Sequence, residues 1–102
     1  MTKLPEDKAV QLAEIFHLIG DPSRLRIVFA CLEEPVCVSD IAAQLSLSQS
    51  LVSHHLRLLK AARLLDSERR GQQIFYWAAD QHIRHVLTDM ATHISEPEDY
   101  QE

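Results

Sequence analysis

The sequence predicts a mainly α-helical domain that contains one small β-hairpin. Apolar residues recur at helical spacing in the stretches 9–19, 25–32, 41–59 and 83–94. Between the last two stretches, short apolar runs flank a charged turn at 69–71, which is the pattern of a hairpin. Only two glycines and four prolines occur among 102 residues, of which 46% are hydrophobic, so compact helical structure is favoured over disorder. About five helices and one hairpin are therefore expected.

The length and the ends of the chain limit the class of protein. At 102 residues the chain is expected to form one domain, 1–102, with an acidic tail at about 97–102. No apolar run approaches the roughly 18 residues of a membrane span, and the first ten residues lack the apolar segment of a secretion signal. Cys31 and Cys37 are too few for a disulfide scaffold and lack CxxC spacing, so both are predicted to be buried thiols. We expect a cytoplasmic protein without a membrane partner.

Charge is distributed unevenly along the chain. The net charge is −5, which by itself argues against a nucleic-acid partner. Between Ser48 and Tyr76, however, five basic residues stand against two acidic ones, and the acidic residues gather near the two ends. The middle of the chain is therefore suited to a polyanion although the whole chain is acidic.

The first two helices carry end signals. The stretch EDKAVQLAEIFHLIG ends at Gly20, the predicted C-cap of the first helix. Asp21 is the predicted N-cap of the second helix and Pro22 its first residue. The side chains of these helices predicted to point inward are Ala9, Leu12, Ala13, Phe16, Ile19, Leu25, Ile27, Val28 and Leu32.

The stretch CVSDIAAQLSLSQSLVSHHLRLLKAARLL has the spacing of a helix-turn-helix. Ser39 is predicted to cap a short helix that ends at Leu45, and Ser48 to begin a second helix after a tight connection at 46–47. The side chains predicted to hold the two helices together are Ile41, Leu45, Leu51, Val52, Leu56 and Leu59. Because a hairpin directly after this motif is a wing, the predicted architecture is a winged helix-turn-helix.

Polar side chains on the outward face of the second helix of this motif predict DNA binding. Short polar side chains let a helix lie deep in the major groove, and those available are Ser48, Gln49, Ser50, Ser53 and His54. Arg57 and Lys60 are then placed to contact phosphates, while Arg69 and Arg70 at the hairpin tip are expected to enter the neighbouring minor groove. Each residue alone is equally well explained as part of a solvated surface, but the combination favours DNA.

The last predicted helix carries histidines at positions suited to a metal. His82 and His93 are eleven positions apart, which separates them by about 16 Å along a helix but by only about 20° around it. Zinc–nitrogen bonds are ~2.0–2.1 Å long, so the two can share an ion only if one comes from a second, antiparallel copy of the helix. Two-fold symmetry would then form two sites. Asp80, the predicted N-cap, and Glu96, on the same face as His93, complete each predicted ligand set.

Two imidazoles and two carboxylates suit tetrahedral Zn(II), with Co(II) and Ni(II) as alternatives. A nickel ion usually takes six ligands, for which Glu98 or Asp99 would be available. Histidines on a merely solvated helix are one alternative to a metal site. Pairing of His85 with His82 or with Asp89 is another, but it lacks a full ligand set.

Together these features resemble the ArsR/SmtB family of metal-sensing winged-helix repressors. The resemblance rests on IGDPSRLRIV, SQSLVSHHLRLLKAARLL and RRGQQIFYWAAD, and it covers about residues 12–96. It implies a homodimer, joined through the first and last helices, that binds an inverted repeat in double-stranded operator DNA until an inducer releases it. It also implies a zinc site on the last helix and a hydrogen bond from metal-bound His93 to the backbone carbonyl of Arg63. The ligands it implies are Asp80, His82, His93 and Glu96.

The sequence departs from the family's second, cysteine-based sensor site, because Ser39 stands where some members need another cysteine. An enzyme is not expected, since four protein ligands leave no open position for a catalytic water and no nucleophile–base pair is visible. A metal-blind winged-helix regulator that answers to redox state or to another inducer remains the alternative, and metal titration distinguishes it from a metal sensor.

Overall fold

The computed structural model describes residues 3–97, which form five helices and three strands. In chain order the elements are α1 (Glu6–Ile19), α2 (Pro22–Ala30), β1 (Val36–Cys37), α3 (Val38–Leu45), α4 (Gln49–Ala61), β2 (Leu65–Arg70), β3 (Gln73–Ala78) and α5 (Gln81–Ser95). Helices α3 and α4 form the helix-turn-helix and strands β2 and β3 the wing, so the predicted winged helix-turn-helix architecture is confirmed. Of the predicted acidic tail at 97–102, residues 98–102 lie outside the described part, as do the proposed nickel ligands Glu98 and Asp99.

Three of the predicted helix ends are present. Gly20 is the C-cap of α1, and the Asp21 side chain accepts a hydrogen bond from the Arg24 backbone N–H at 3.0 Å at the start of α2. Ser48 caps α4 by accepting from the Leu51 backbone N–H at 3.1 Å. Such caps satisfy backbone N–H groups that have no partner inside the helix. They fix where α2 and α4 begin.

The start of α3 differs from the prediction. Its N-cap is Cys37, with extended backbone angles, and not Ser39. Cys37 ends β1, and because the chain passes directly from strand to helix, Ser39 already lies inside the first turn. The Ser39 Oγ lies 3.3 Å from the Cys37 Sγ instead of capping the helix.

The sheet has a strand that the sequence did not reveal. Strand β1 pairs antiparallel with β3, so that the order is β1-β3-β2. The predicted hairpin tip at 69–71 is also displaced, because Arg69 pairs with Ile74 and Arg70 with Gln73 inside the ladder. The turn itself begins at Gly71, whose φ of 67° is the left-handed conformation that glycine adopts without a steric penalty. Both arginines are therefore strand residues beside the tip.

The core lies between the helix-turn-helix, α2 and the sheet, and it includes Ile27, Ile41, Leu56 and Leu59, each fully buried. Leu51, which was predicted to point inward, is instead 39% exposed. It precedes the buried Val52 by one residue, and a rotation of about 100° per residue turns it away from the core.

Helices α1 and α5 present an apolar face to solvent. On α1 Phe16 is 55% exposed, and on α5 Ile94 is 79% exposed. The other large apolar side chains of these two helices that are exposed are Val10, Leu12, Val86 and Met90. Two of them, Leu12 and Phe16, were predicted to point inward, but a single chain does not cover them. Within residues 3–97 no helix is both long and apolar enough to span a membrane.

Candidate DNA-reading surface and metal-ligand helix

Helix α4 has one buried and one exposed face. Val52, Leu56 and Leu59 lie inside, and the exposed face carries Gln49, Ser50, His54 and Arg57, as predicted, with Ser53 half-buried at its margin. The helix begins at a defined cap and follows a tight turn. The side chains predicted to contact bases, and Arg57, which is predicted to contact a phosphate, therefore lie on one face of α4.

The two first serines of this surface are already engaged with each other. The Ser48 Oγ accepts the hydrogen bond that caps α4 and also lies 3.4 Å from the Ser50 Oγ. A hydroxyl has one proton and two acceptor positions. The Ser48 hydroxyl is thus used to cap α4, whereas the exposed Ser50 hydroxyl has more hydrogen-bonding positions left for DNA.

Lys60 connects the helix to the wing. Its Nζ donates to the Ser67 Oγ on β2 at 2.7 Å. An ammonium group has three donors, so this contact leaves others for the predicted phosphate interaction. The bond also fixes the wing with respect to α4, a role that the sequence did not indicate.

The two arginines of the wing lie on opposite faces of the hairpin. Side chains alternate along a strand, so Arg69 shares a face of β2 with Ser67, two residues earlier. The contact of Ser67 with Lys60 shows that this face turns toward α4. Arg70 lies on the other face. There its Nε donates to the Glu68 carboxylate at 3.2 Å, and its guanidinium lies 5.0 Å from the Phe75 ring centroid.

A second aromatic ring, Trp77, lies 6.0 Å from the same guanidinium. Arg70 therefore has an anionic and an aromatic partner within the wing. Arg69 has no ion pair among residues 3–97.

Arg63, the predicted coupling residue, occupies a strained position at the end of α4. Its φ is 65°, a left-handed conformation that is unfavourable for a residue with a side chain. The Leu64 N–H donates to the Leu59 carbonyl at 3.0 Å and the Arg63 N–H to the Lys60 carbonyl at 2.9 Å. This pair of bonds is a Schellman motif, which usually has glycine at the left-handed position.

Arg63 also borders a hollow of about 640 Å³ between the end of α4, α1 and Ile83 of α5. Among residues 3–97 no hydrogen bond joins His93 to Arg63.

One predicted metal half-site is formed by Asp80 and His82 at the start of α5. Asp80 is the N-cap, as predicted, and its Oδ1 accepts from the Ile83 backbone N–H at 3.1 Å. The same oxygen lies 3.6 Å from the His82 Nδ1. The backbone hydrogen bond from Ile83, with a smaller contribution from His82, lowers the pKa of the Asp80 carboxyl group. The lowered pKa favours the deprotonated carboxylate.

The other predicted half-site lies at the far end of the same helix. His93 is in the last turn of α5, and Glu96 is its C-cap, with the Glu96 N–H directed at the His93 carbonyl at 3.4 Å. Both side chains are exposed, and the side chain of His82 at the opposite end is 92% exposed. Within residues 3–97 of one chain no three metal-binding side chains come together. The donor types fit zinc, but each end of α5 provides only half of a tetrahedral ligand set.

His55 is a buried polar residue that sequence reasoning missed. It lies on the inner face of α4 with 8% exposure, and its Nδ1 has no hydrogen-bond partner among the described residues. Burial lowers the pKa of its imidazole, Arg24 and His54 lower it further, and Asp21 opposes them. The signal was available, because His55 is three residues after Val52 and four before Leu59 and so falls on the apolar stripe.

The two cysteines are buried thiols, as predicted. Burial raises the pKa of Cys31 to about 12. Cys37 is 3% exposed and has Ser39 as a neighbour, not a second thiol.

A helix-turn-helix whose second helix exposes a polar face, followed by a β-hairpin, defines a winged-helix protein of the DNA-binding class. Residues 21–67 match the family described as bacterial regulatory protein, arsR family. The chain is 41% identical over 90 residues to a transcriptional repressor SmtB homolog from Synechocystis, covering 88% of this chain and 68% of that relative. The chain therefore belongs to the arsR family of bacterial regulatory proteins.

Two further comparisons agree with the family and the fold. The chain is 36% identical to the HTH-type transcriptional repressor SmtB of Mycobacterium tuberculosis over 81% of its own length, and it spans 62% of that relative. The solved homodimeric winged helix-turn-helix DNA-binding domain of a possible ArsR-family regulator from Mycobacterium bovis has a TM-score of 0.81 at 20% identity. That match covers 100% of this chain and 97% of the other. The structural match bears on the fold alone.

Proposed function

We propose that the protein is a zinc-responsive transcriptional repressor. As a metal-free homodimer it binds an inverted repeat in operator DNA, and Zn(II) binding at two sites between the subunits releases it. The observation that carries this proposal is the division of the ligand set, with Asp80 and His82 at one end of α5 and His93 and Glu96 at the other. The names of the two SmtB relatives describe transcriptional repressors, which supports the repressor part.

The exposed apolar face of α1 and α5 supports the homodimer. Phe16, Met90 and Ile94 are each at least half exposed in one chain, and burying such side chains contributes roughly 1.5–3 kcal/mol each. A second copy supplies the matching surface, because a two-fold interface is self-complementary. The related M. bovis domain is described as homodimeric.

Antiparallel pairing of the two α5 helices accounts for the metal part. His82 of one chain then stands opposite His93 of the partner, and the carboxylates of Asp80 and Glu96 close the shell. These four side chains would hold Zn(II), which would then cross-link the two chains. The cap of α5 lowers the pKa of Asp80, so its carboxylate stays deprotonated, and available to a metal, at lower pH than that of an ordinary aspartate. Co(II) and Ni(II) are the competing inducers.

The DNA part rests on α4 and the wing. The first turn of α4 enters the major groove, where Gln49, Ser50, Ser53 and His54 contact base edges and Arg57 contacts a phosphate. Arg69 reaches from the face of the wing that turns toward α4 into the neighbouring minor groove. Arg70, held by Glu68 and two rings, keeps the shape of the wing.

The release of DNA requires that the metal bind the conformation of low DNA affinity more tightly, because only differential affinity shifts an equilibrium. We propose that the two conformations differ in one hydrogen bond, which joins His93 to the backbone carbonyl of Arg63 only when the metal is bound. A metal-bound histidine usually donates its second N–H to such an acceptor. Arg63 already holds the end of α4 in a strained turn, so a new bond to its carbonyl acts directly on the DNA-reading helix.

Subunit complementation tests the split site. His82→Ala and His93→Ala homodimers should each lose tight zinc binding, with metal-free operator affinity close to the parent value. Co-expressed chains that carry one substitution each should regain one tight site per mixed dimer, since His82 of one chain and His93 of the other remain together. His85→Ala is the matched control and should keep two sites per dimer.

The readout is zinc stoichiometry by competition with a chromophoric chelator, repeated with Co(II) and Ni(II). Failure of the mixed dimer to bind zinc, while both control sites are retained, would show that the ligands do not pair between subunits. Absence of any stoichiometric site in the parent protein would favour a metal-blind regulator.

A further inference from the structure

Leu51 is a large apolar side chain in the first turn of the DNA-reading helix, and it is 39% exposed. It belongs neither to the buried core nor to the partly buried residues packed against that core. Its backbone is fixed, because its N–H donates to the Ser48 Oγ at 3.1 Å in the cap of α4. An exposed apolar side chain on a fixed backbone therefore stands in the first turn of the surface proposed to enter the major groove.

Helix geometry relates Leu51 to the polar reading residues. At ~100° per residue, Leu51 is turned about 100° from the buried Val52 and only about 60° from the exposed His54. Ser50 precedes it and is exposed. Leu51 thus borders the reading face on the side away from Lys60, which contacts the wing.

In the major groove the one apolar feature of a base edge is the C5-methyl group of thymine. The side chains proposed so far for base contacts are polar, and none of them matches that group. We infer that Leu51 is a specificity-determining residue that contacts a thymine methyl group in each half of the operator. The inference rests on the proposed DNA-binding function and adds to it a base preference.

Leu58 provides an internal comparison. It is 37% exposed and lies on nearly the same side of α4, but it is seven residues further on, about 10.5 Å along the helix. It borders the hollow that α4 forms with α1. Leu58 therefore matches Leu51 in chemistry and exposure while lying away from the inserted end of the helix.

The experiment uses the full-length metal-free protein and a duplex that it selects from a random pool. Each thymine of the selected duplex is replaced in turn by deoxyuridine, which removes only the methyl group. For the parent protein, one thymine position in each half-site should weaken binding by about fourfold, the contribution of one buried methyl group. In Leu51→Ala this loss should disappear, while Leu58→Ala should keep it.

Leu51→Met guards against a simple folding defect, because it remains apolar and should stay sensitive to the same methyl group. Circular dichroism checks that all variants are folded. The inference is overturned if no thymine position affects the parent protein, or if Leu51→Ala shows the parent's pattern of losses. A parent protein that selects no sequence at all would overturn the proposed function together with this contact, whereas normal selection without methyl sensitivity overturns the contact alone.

Discussion

Arg69 and Arg70 are neighbours in the chain, but their contacts predict opposite effects of substitution. Arg69 lies on the face of the wing that turns toward α4 and has no ion pair among residues 3–97. Each phosphate that a protein neutralises contributes about 0.9 to the slope of log K against log salt concentration. In the minor groove Arg69 lies in the negative potential of the phosphates and displaces counterions there, so Arg69→Ala, which removes two such charges from a dimer, should make the slope shallower by up to about 1.8. Folding stability should change little.

Arg70→Ala should act on the wing itself. It removes an exposed ion pair with Glu68, which contributes about 0.2–1 kcal/mol, and a contact with the rings of Phe75 and Trp77 of about 0.5–1 kcal/mol. Together they amount to a loss of roughly 1 kcal/mol in the free energy of unfolding, or about 4–8 °C in Tm for a domain of this size. The salt slope should remain that of the parent.

Fluorescence anisotropy of a labelled operator between 50 and 200 mM salt gives the slope, and urea unfolding gives the stability. Arg70→Lys is informative as a second variant, because it keeps the charge but loses the planar stacking. A flattened slope in Arg70→Ala equal to that in Arg69→Ala would refute the division of roles. So would an unchanged slope in Arg69→Ala.

Three further predictions concern the fold that carries these sites. Ser46→Gly should raise the free energy of unfolding by about 0.5–1 kcal/mol in urea titrations, since the φ of 59° at Ser46 favours glycine, whereas Ala43→Gly inside α3 should lower it by about 1 kcal/mol. Because the pKa of His55 is lowered in the folded state, the unfolded chain binds the proton more readily, so stability should fall as pH drops through the ordinary value of 6.5 and level off below the folded pKa; His55→Gln should flatten this dependence. Burial raises the pKa of Cys31 to about 12, so this thiol should react with a disulfide reagent at pH 8 only when the protein unfolds locally. The reaction rate should therefore rise with added denaturant, and a rapid reaction without denaturant would contradict the burial of Cys31.

Much of the local structure was predictable because it depends on neighbours in the sequence. Asp21, Ser48 and Asp80 are all N-caps, and in each case the side chain bonds to a backbone N–H three residues later. The prediction that Ser39 caps α3 was wrong because a strand of two residues places Cys37 at the start of the helix. That strand exists only through its pairing with β3, about forty positions away, and no local pattern records such a partner.

The candidate sites depend more strongly on long-range geometry. The sequence places His82 and His93 on one side of a helix, and the structure confirms the helix but leaves their pairing a prediction. The sequence alone could not show that Arg69 and Arg70 lie on opposite faces of the hairpin, because their placement depends on the position of the turn. A turn displaced toward Gly71 puts both arginines into the ladder, where successive side chains alternate.

The double role of Asp80 limits the substitutions that evolution can accept at the start of α5. Its carboxylate caps α5 and, under the proposed function, also binds the inducer. The side chains that cap helices well are those of Asp, Asn, Ser and Thr, and among them Asp alone carries a carboxylate. A mutation to Asn would keep the helix end and weaken sensing, while a mutation to Glu would keep the charge and disturb the helix end. Descendants that acquire a preference for another metal are therefore expected to vary first at Glu96, where the α5 C-cap bond is made by the backbone and leaves the side chain unconstrained.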